Sequence, residues 1–302
     1  MSTTKNYKTM QLPDGRTLGY AEFGEPEGVP IFYFHGLPGS RLEAQIINRC
    51  VNKINARLIG VDRPGMGVSD FQPKRQLLDW PVDVSALADS LAIDRFCVIR
   101  LSGGGPHALA CACKIPERIT ACGVVSSIGP PEINNEGMGK ANRYFLSLSK
   151  YITPLTRFML WMLVGRYSQE ERKLEHYFMR LSKKVPEPEK KILEDPDLMK
   201  PAIEATKDSF RQGCKGMANE MTLYSSPWGF QLEDISIENM YLWHGELDEN
   251  IPVSTGKAMA ESIPKCQETY FPQESHLSTI VNHIDEILPP LPSHNTTRVS
   301  KA

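Results

Sequence analysis

Short, β-rich apolar runs alternate with helical patterns up to Val125, stop, and resume only at Met240. The runs are Val29–Phe34, Arg57–Val61, Phe96–Ile99 and Ala121–Val125, then Met240–Trp243 and Glu268–Phe271. Between two of them Val84, Leu87, Ala88 and Leu91 fall at i, i+3, i+4 and i+7, the spacing of an amphipathic helix. Val253–Ile263 and Ser278–Leu288 carry helical patterns after the later runs. Strands alternating with such helices make βαβ units, so the expected fold class is α/β with a mostly parallel sheet. Thr9–Leu12 and Arg16–Phe23 flank the turn signal Pro13-Asp14-Gly15 and predict an antiparallel N-terminal hairpin.

The gap has its own character. From Pro130 to Asp234 no strand pattern is present, and Asn142–Ser149, Leu155–Val164, Glu170–Leu181 and Pro201–Gln212 read as helices. A simple crossover needs about a dozen residues, so roughly a hundred here form an inserted helical cap. The expected division is a core of residues 1–129 and 235–302 with a cap of 130–234. The run Phe158–Val164 is apolar nearly all round and reads as a buried cap helix, too short for the ~20 residues a bilayer span needs.

Composition removes several classes. Lys+Arg 34 against Asp+Glu 36 gives a net charge of −2 over 302 residues, with no basic stripe, so a nucleic-acid partner is not expected. Residues 1–6 contain no apolar signal core, and the seven cysteines are an odd set, several of them in apolar runs. Reduced thiols and a cytoplasmic location are the expectation. Cys111 and Cys113, two apart on a helix, point to different faces and make a poor metal pair. No His/Asp/Glu spacing suits a metal, and no G-x-G-x-x-G opens a helix, so neither metal nor cofactor is expected.

Chemistry concentrates in Val98-Ile99-Arg100-Leu101-Ser102-Gly103-Gly104-Gly105-Pro106-His107-Ala108. An apolar strand runs into Ser102, then glycines, then a helix with Pro106 in its first turn, where proline is tolerated. A hydroxyl on so tight a turn projects from the sheet end near the positive end of a helix. This resembles the G-x-S-x-G nucleophile elbow of the α/β-hydrolase superfamily, with Gly104 as the second glycine and Arg100 in place of the first. Three further segments extend the resemblance. His35-Gly36-Leu37-Pro38-Gly39 is similar to the superfamily's oxyanion loop, which implies backbone N–H donors at Leu37 and Gly103. His244-Gly245-Glu246-Leu247-Asp248-Glu249-Asn250-Ile251-Pro252 looks like its acid loop and implies Asp248, with Glu246 and Glu249 as competing loop charges. His276, just past the last strand, completes the order Ser102…Asp248…His276 expected of this fold. Asp62-Arg63-Pro64-Gly65-Met66-Gly67 is similar to a supporting loop of the same superfamily.

Among the remaining histidines, His35 reads as a structural hydrogen-bonder, His107 as lining the pocket or packing, and His283 as a surface residue. His176, His244 and His294 have no partner pattern. The resemblance to capped, serine-type hydrolases implies an esterase, C–C hydrolase or iminopeptidase-like relative. It implies cleavage of an ester or related acyl bond of a small, largely apolar substrate through an acyl-enzyme. Serine at the nucleophile position argues against epoxide hydrolase and haloalkane dehalogenase chemistry, which use aspartate there. Tyr144, Phe145, Tyr151, Phe158 and Trp161 in the cap predict apolar substrates. A ligand-sensing protein of weak turnover and an acyltransferase stay open as alternatives. No stable membrane insertion is expected, and the sequence leaves oligomeric state and substrate identity open. Arg100 is the departure: its side chain is expected either to snorkel out past the helix or to displace the turn and impair Ser102, the bland alternative being a locally different backbone that leaves Arg100 harmless.

Overall fold

The computed structural model describes residues 7–133, 148–149, 151, 153–168, 170–288 and 290. Eight strands form one sheet: β1 (Lys8–Gln11), β2 (Thr17–Gly24), β3 (Val29–Phe34), β4 (Ala56–Val61), β5 (Phe96–Leu101), β6 (Ile119–Val125), β7 (Met240–Gly245) and β8 (Cys266–Phe271). Their order is β1-β2-β4-β3-β5-β6-β7-β8. β2 runs antiparallel to β1 and β4, and every pairing from β4 through β3 to β8 is parallel. The expected hairpin and the expected parallel sheet are both present.

Helices cover both faces. They are α1 (Gln45–Val51), α2 (Trp80–Ser90), α3 (Gly105–Lys114), α4 (Thr153–Leu160), α5 (Glu171–Leu181), α6 (Glu187–Glu194), α7 (Pro196–Ser209), α8 (Lys215–Tyr224), α9 (Val253–Ser262) and α10 (His276–Ile287). Side chains alternate across a strand. Phe32 and Phe34 of β3 therefore pack with Val84, Leu87, Leu109 and Met259 on the face of α2, α3 and α9. Ile31 and Tyr33 pack with Ile47, Ile280 and Ile284 on the face of α1 and α10. β6 and β7 are buried along their whole lengths, as a central parallel strand must be.

Helices α4 to α8 lie between β6 and β7 in sequence and hold a third apolar cluster, including Leu174, Met199, Phe210, Met217 and Tyr224. The helix expected from Pro201 begins earlier, at Pro196. Asp195 Oδ1 accepts the Asp197 and Leu198 N–H groups at 2.9 and 3.4 Å, and Pro196 suits the first helical position. The reading of Phe158–Val164 as buried does not hold: Phe158, Trp161 and Leu163 are 56%, 49% and 54% exposed. The apolar stripe is wider than the contact available to it, so one side faces out. The helix expected at Asn142–Ser149 lies outside the described residues apart from 148–149. Among the described residues no helix is long and apolar enough to cross a membrane.

Candidate active site

Ser102 follows β5 directly and opens the turn into α3. Its φ is +54°, a left-handed conformation that costs a non-glycine residue free energy and persists where the surroundings enforce it. The enforcement is steric: a Cβ at Gly104 would lie 2.3 Å from the Phe34 carbonyl oxygen, so only glycine lets α3 approach β3 this closely.

Asp248 and His276 come from the loops after β7 and β8 and meet at the same sheet end. His276 Nδ1–H donates to Asp248 Oδ2 at 2.7 Å. Asp248 Oδ1 accepts the Asn250 and Ile251 N–H groups, both at 2.9 Å. Burial works against the Asp248 carboxylate, yet the His276 ring, a hydrogen bond from His244 and the His276 bond hold it well below the usual carboxylate range. Burial alone would lower His276; the Asp248 charge and hydrogen bond outweigh it and raise its pKa above 6.5, with Glu189 adding and Arg100 opposing. Glu246 and Glu249 are exposed, so the loop brings only Asp248 to the imidazole. Among the described residues no hydrogen bond joins Ser102 to His276. Such bonds are often loose without a substrate and tighten in the reacting complex.

Leu37 and Gly103 lie side by side. A Cβ at Gly103 would sit 3.1 Å from Leu37 Cβ and 3.5 Å from Leu37 N. Among the described residues the Leu37 N–H has no hydrogen-bond partner. The Gly103 N–H is among the first amides of a helical segment, which no helical carbonyl reaches. Glu43 accepts the Gly36 N–H at 2.8 Å and the Tyr33 hydroxyl at 2.8 Å, fixing the loop from below.

The remaining histidines sort by contact. His35 Nε2 accepts from the Arg63 N–H at 3.3 Å and Nδ1 donates to Gly36 O at 2.8 Å, the structural role expected. His283 bonds Glu286 and Glu274 at 2.8 and 3.2 Å and stacks on Phe271. His107 is buried between Trp80 and Tyr224, so it packs rather than lining a pocket. His244, without a partner pattern in the sequence, is buried behind Asp248; its Nε2 donates to Ile251 O at 2.9 Å and lies 3.5 Å from Asp248 Oδ2.

Three contributors escaped the sequence, all from α6 and α8. Glu189 Oε2 accepts the Leu277 and Ser278 N–H groups at 2.8 and 3.2 Å, tying α6 to the first turn of the His276 helix. Glu220 is fully buried and pairs with Arg63 Nε at 2.7 Å and with Arg75. Tyr224 Oη lies 2.7 Å from Glu220 Oε2 and 2.6 Å from Gly103 O. A signal for Glu220 exists: it falls at i+3 on the apolar stripe Met217, Met221, Tyr224, where a charge calls for a buried partner.

Arg100 takes neither expected course. It does not snorkel, being fully buried, and the turn keeps its left-handed serine. Its Nη1 donates to Ser102 O at 2.5 Å. Among the described residues Nε and Nη2 have no partner, and burial lowers its pKa to about 9.

Residues 29–282 match the family model described as alpha/beta hydrolase fold. Among solved structures, an alpha/beta hydrolase fold protein from Nakamurella multipartita is 20% identical, with 96% of each chain covered and a TM-score of 0.66. A thermophilic esterase from Thermogutta terrifontis is 17% identical over 93% of this chain and 95% of its own, TM-score 0.63. A bromoperoxidase from Bacillus anthracis is 18% identical over 93% and 98%, TM-score 0.69. No curated protein matches the chain. With a family model spanning most of its length and a sheet of the matching topology, the chain belongs to the alpha/beta hydrolase fold family.

Proposed function

We propose that the protein is a serine hydrolase acting on an ester or related acyl bond, with Ser102 as nucleophile, His276 as base and Asp248 as its orienting acid. The observation that carries this reading is the strained Ser102 turn at the sheet end that also holds the 2.7 Å His276–Asp248 bond. With Nδ1–H committed to Asp248, His276 Nε2 is the basic nitrogen. It takes the Ser102 proton as Oγ attacks the carbonyl carbon. The Leu37 and Gly103 N–H groups hold the oxyanion of the tetrahedral intermediate. His276 then returns the proton to the leaving oxygen as the C–O bond breaks. Water, deprotonated by the same nitrogen, attacks the acyl carbon; the bond to Ser102 Oγ then breaks and His276 returns the proton to Oγ, releasing the acid and free Ser102.

The segment 130–234 serves as the cap in this reading. Leu37, Ile128 and Leu277, beside the proposed site residues, pack against the apolar cluster that includes its Met217, Met221 and Tyr224, which favours an apolar acyl or aryl group. Tyr151, Phe158 and Trp161 are exposed and do not supply that lining; Tyr144 and Phe145 lie outside the described residues. A cleft of about 370 Å³ among α5, α6 and α7, lined by Phe178, Met199 and Ile203, includes neither Ser102 nor His276. p-Nitrophenyl esters of increasing chain length test the reading. Turnover should favour apolar acyl groups over short charged ones of equal reactivity, and the reverse order would overturn the apolar assignment.

The pKa directions fix the pH dependence. A neutral His276 is required, and its pKa is raised, so kcat/KM should climb with pH through an apparent pKa above about 6.5. His276→Ala should abolish turnover while His283→Ala retains it, and the opposite pattern would reassign the base. Stability is linked with opposite signs. The contribution of His276 is complete below the free imidazole pKa and is lost as pH rises through its folded value. That of Asp248 is present above the free carboxyl pKa and is lost as pH falls through its depressed one.

A further inference from the structure

A peptide unit carries its N–H and the preceding residue's C=O as one rigid plane. The Gly103 N–H therefore shares a plane with Ser102 O, and the Leu37 N–H with Gly36 O. Both carbonyls are held by buried guanidinium groups. Arg100 Nη1 donates to Ser102 O at 2.5 Å, and Arg63 Nη2 donates to Gly36 O at 3.0 Å. Ser102 O also accepts the Gly105 N–H, and Gly36 O the His35 ring at 2.8 Å. Each carbonyl thus has two donors, and rotating either plane would break both bonds.

We infer that Arg100 is a positioning residue for the oxyanion site, acting through the Ser102–Gly103 peptide, with Arg63 doing the same for Gly36–Leu37. This inference rests on the proposed serine-hydrolase reading. A donor on the carbonyl end of an amide polarises the whole unit and strengthens its N–H as a donor, the more so when the first donor is charged and buried. Arg100 is suited to this because among the described residues no carboxylate forms an ion pair with it. Its Nε and Nη2 have no partner among the described residues, whereas Arg63 Nε is spent on Glu220 at 2.7 Å. The cation is expensive for the fold, since an unpaired buried charge destabilises. Its benefit appears only when negative charge develops on the substrate oxygen, which is what separates transition-state from ground-state binding. Arginine where the family motif has glycine is then a gain of electrostatic support beneath the nucleophile rather than damage to the elbow.

Arg100→Met and Arg100→Lys test this against the parent, using one p-nitrophenyl ester, an alkyl boronic acid as tetrahedral mimic, and thermal melting. The expected result for Arg100→Met is a fall in kcat of about 10-fold or more, KM within about threefold, a parallel loss of boronate affinity and a melting temperature no lower than the parent's. Arg100→Lys, which keeps the charge, should recover part of both kcat and boronate affinity. Parent-like kcat and boronate affinity in Arg100→Met would overturn the inference. So would a fall in kcat that comes with a lower melting temperature and unchanged relative boronate affinity, because that is a folding effect. A fluorophosphonate that fails to label the parent at Ser102 would instead overturn the serine-hydrolase reading, and the inference with it.

Discussion

Ser102→Ala should lose all covalent labelling by a fluorophosphonate and should cut ester turnover by several orders of magnitude, leaving a fold with the parent's melting profile. In the proposed mechanism the size follows from the cooperation of the group: without the Ser102 hydroxyl, the His276–Asp248 pair has no proton to take, and removing one member of such a triad costs nearly as much as removing all. Stability should not fall, because alanine keeps the Cβ and removes only a hydroxyl that makes no hydrogen bond among the described residues. The left-handed φ of +54° is as awkward for alanine as for serine, so the turn's strain is unchanged. Turnover persisting at more than a hundredth of the parent rate in a preparation free of contaminating esterase would remove Ser102 from the mechanism.

The second large effect concerns folding. Glu220→Ala should destabilise the protein by about 3–5 kcal/mol, measured by urea denaturation, because it leaves charges buried without compensation. Glu220 is fully buried and is the carboxylate facing both Arg63 and Arg75 from α8. Burial lowers the pKa of both arginines, Arg75 to about 9, but a guanidinium keeps its proton at neutral pH, so both charges would be stranded. Tyr224 would also lose its 2.7 Å contact with the carboxylate while keeping Gly103 O. Glu220→Gln should fall between the two, since it keeps an acceptor and loses the charge. If Glu220→Ala unfolds at the parent's urea midpoint, the network contributes no stability. A double variant, Glu220→Leu with Arg75→Leu, should recover more than the sum of its parts, because it removes a charge of each sign.

These two residues mark how far the sequence could be read. Ser102 was legible because an elbow needs a strand, a tight turn and a helix in immediate succession, and all three are local. The same holds for the strands, which show as short, mostly apolar, β-rich runs between helical patterns, and for Asp248 and His276, which follow two of those runs. Glu220 and Glu189 act across more than eighty residues of chain separation, on Arg63 and on the Ser278 amide, and no local pattern encodes such a partner. Both come from helices, α6 and α8, that the periodicity passed over. α6 reads Glu-Pro-Glu-Lys-Lys-Ile-Leu-Glu, too polar and too short to show a face. Arg100 was legible as an anomaly but its placement was not. Steric reasoning said the side chain had no room at the elbow; the structure finds room beneath the turn, where a carbonyl receives it.

The sheet order has a consequence for synthesis. β6, buried along its whole length, is paired with β5 on one side and β7 on the other. A ribosome reaches Met240 only after making everything from Ser126 to Asn239. At about 5–20 residues per second that interval is of the order of ten seconds. Throughout it, β6 can dock on β5 but must present its other edge, from Cys122 to Val125, unpaired. An apolar strand with an open edge is a template for joining another chain. Fragments ending between Val125 and Met240 should therefore appear in the insoluble fraction, carrying the proposed nucleophile but neither the acid nor the base that would make it react. Fragments extending through β8 should return to solution.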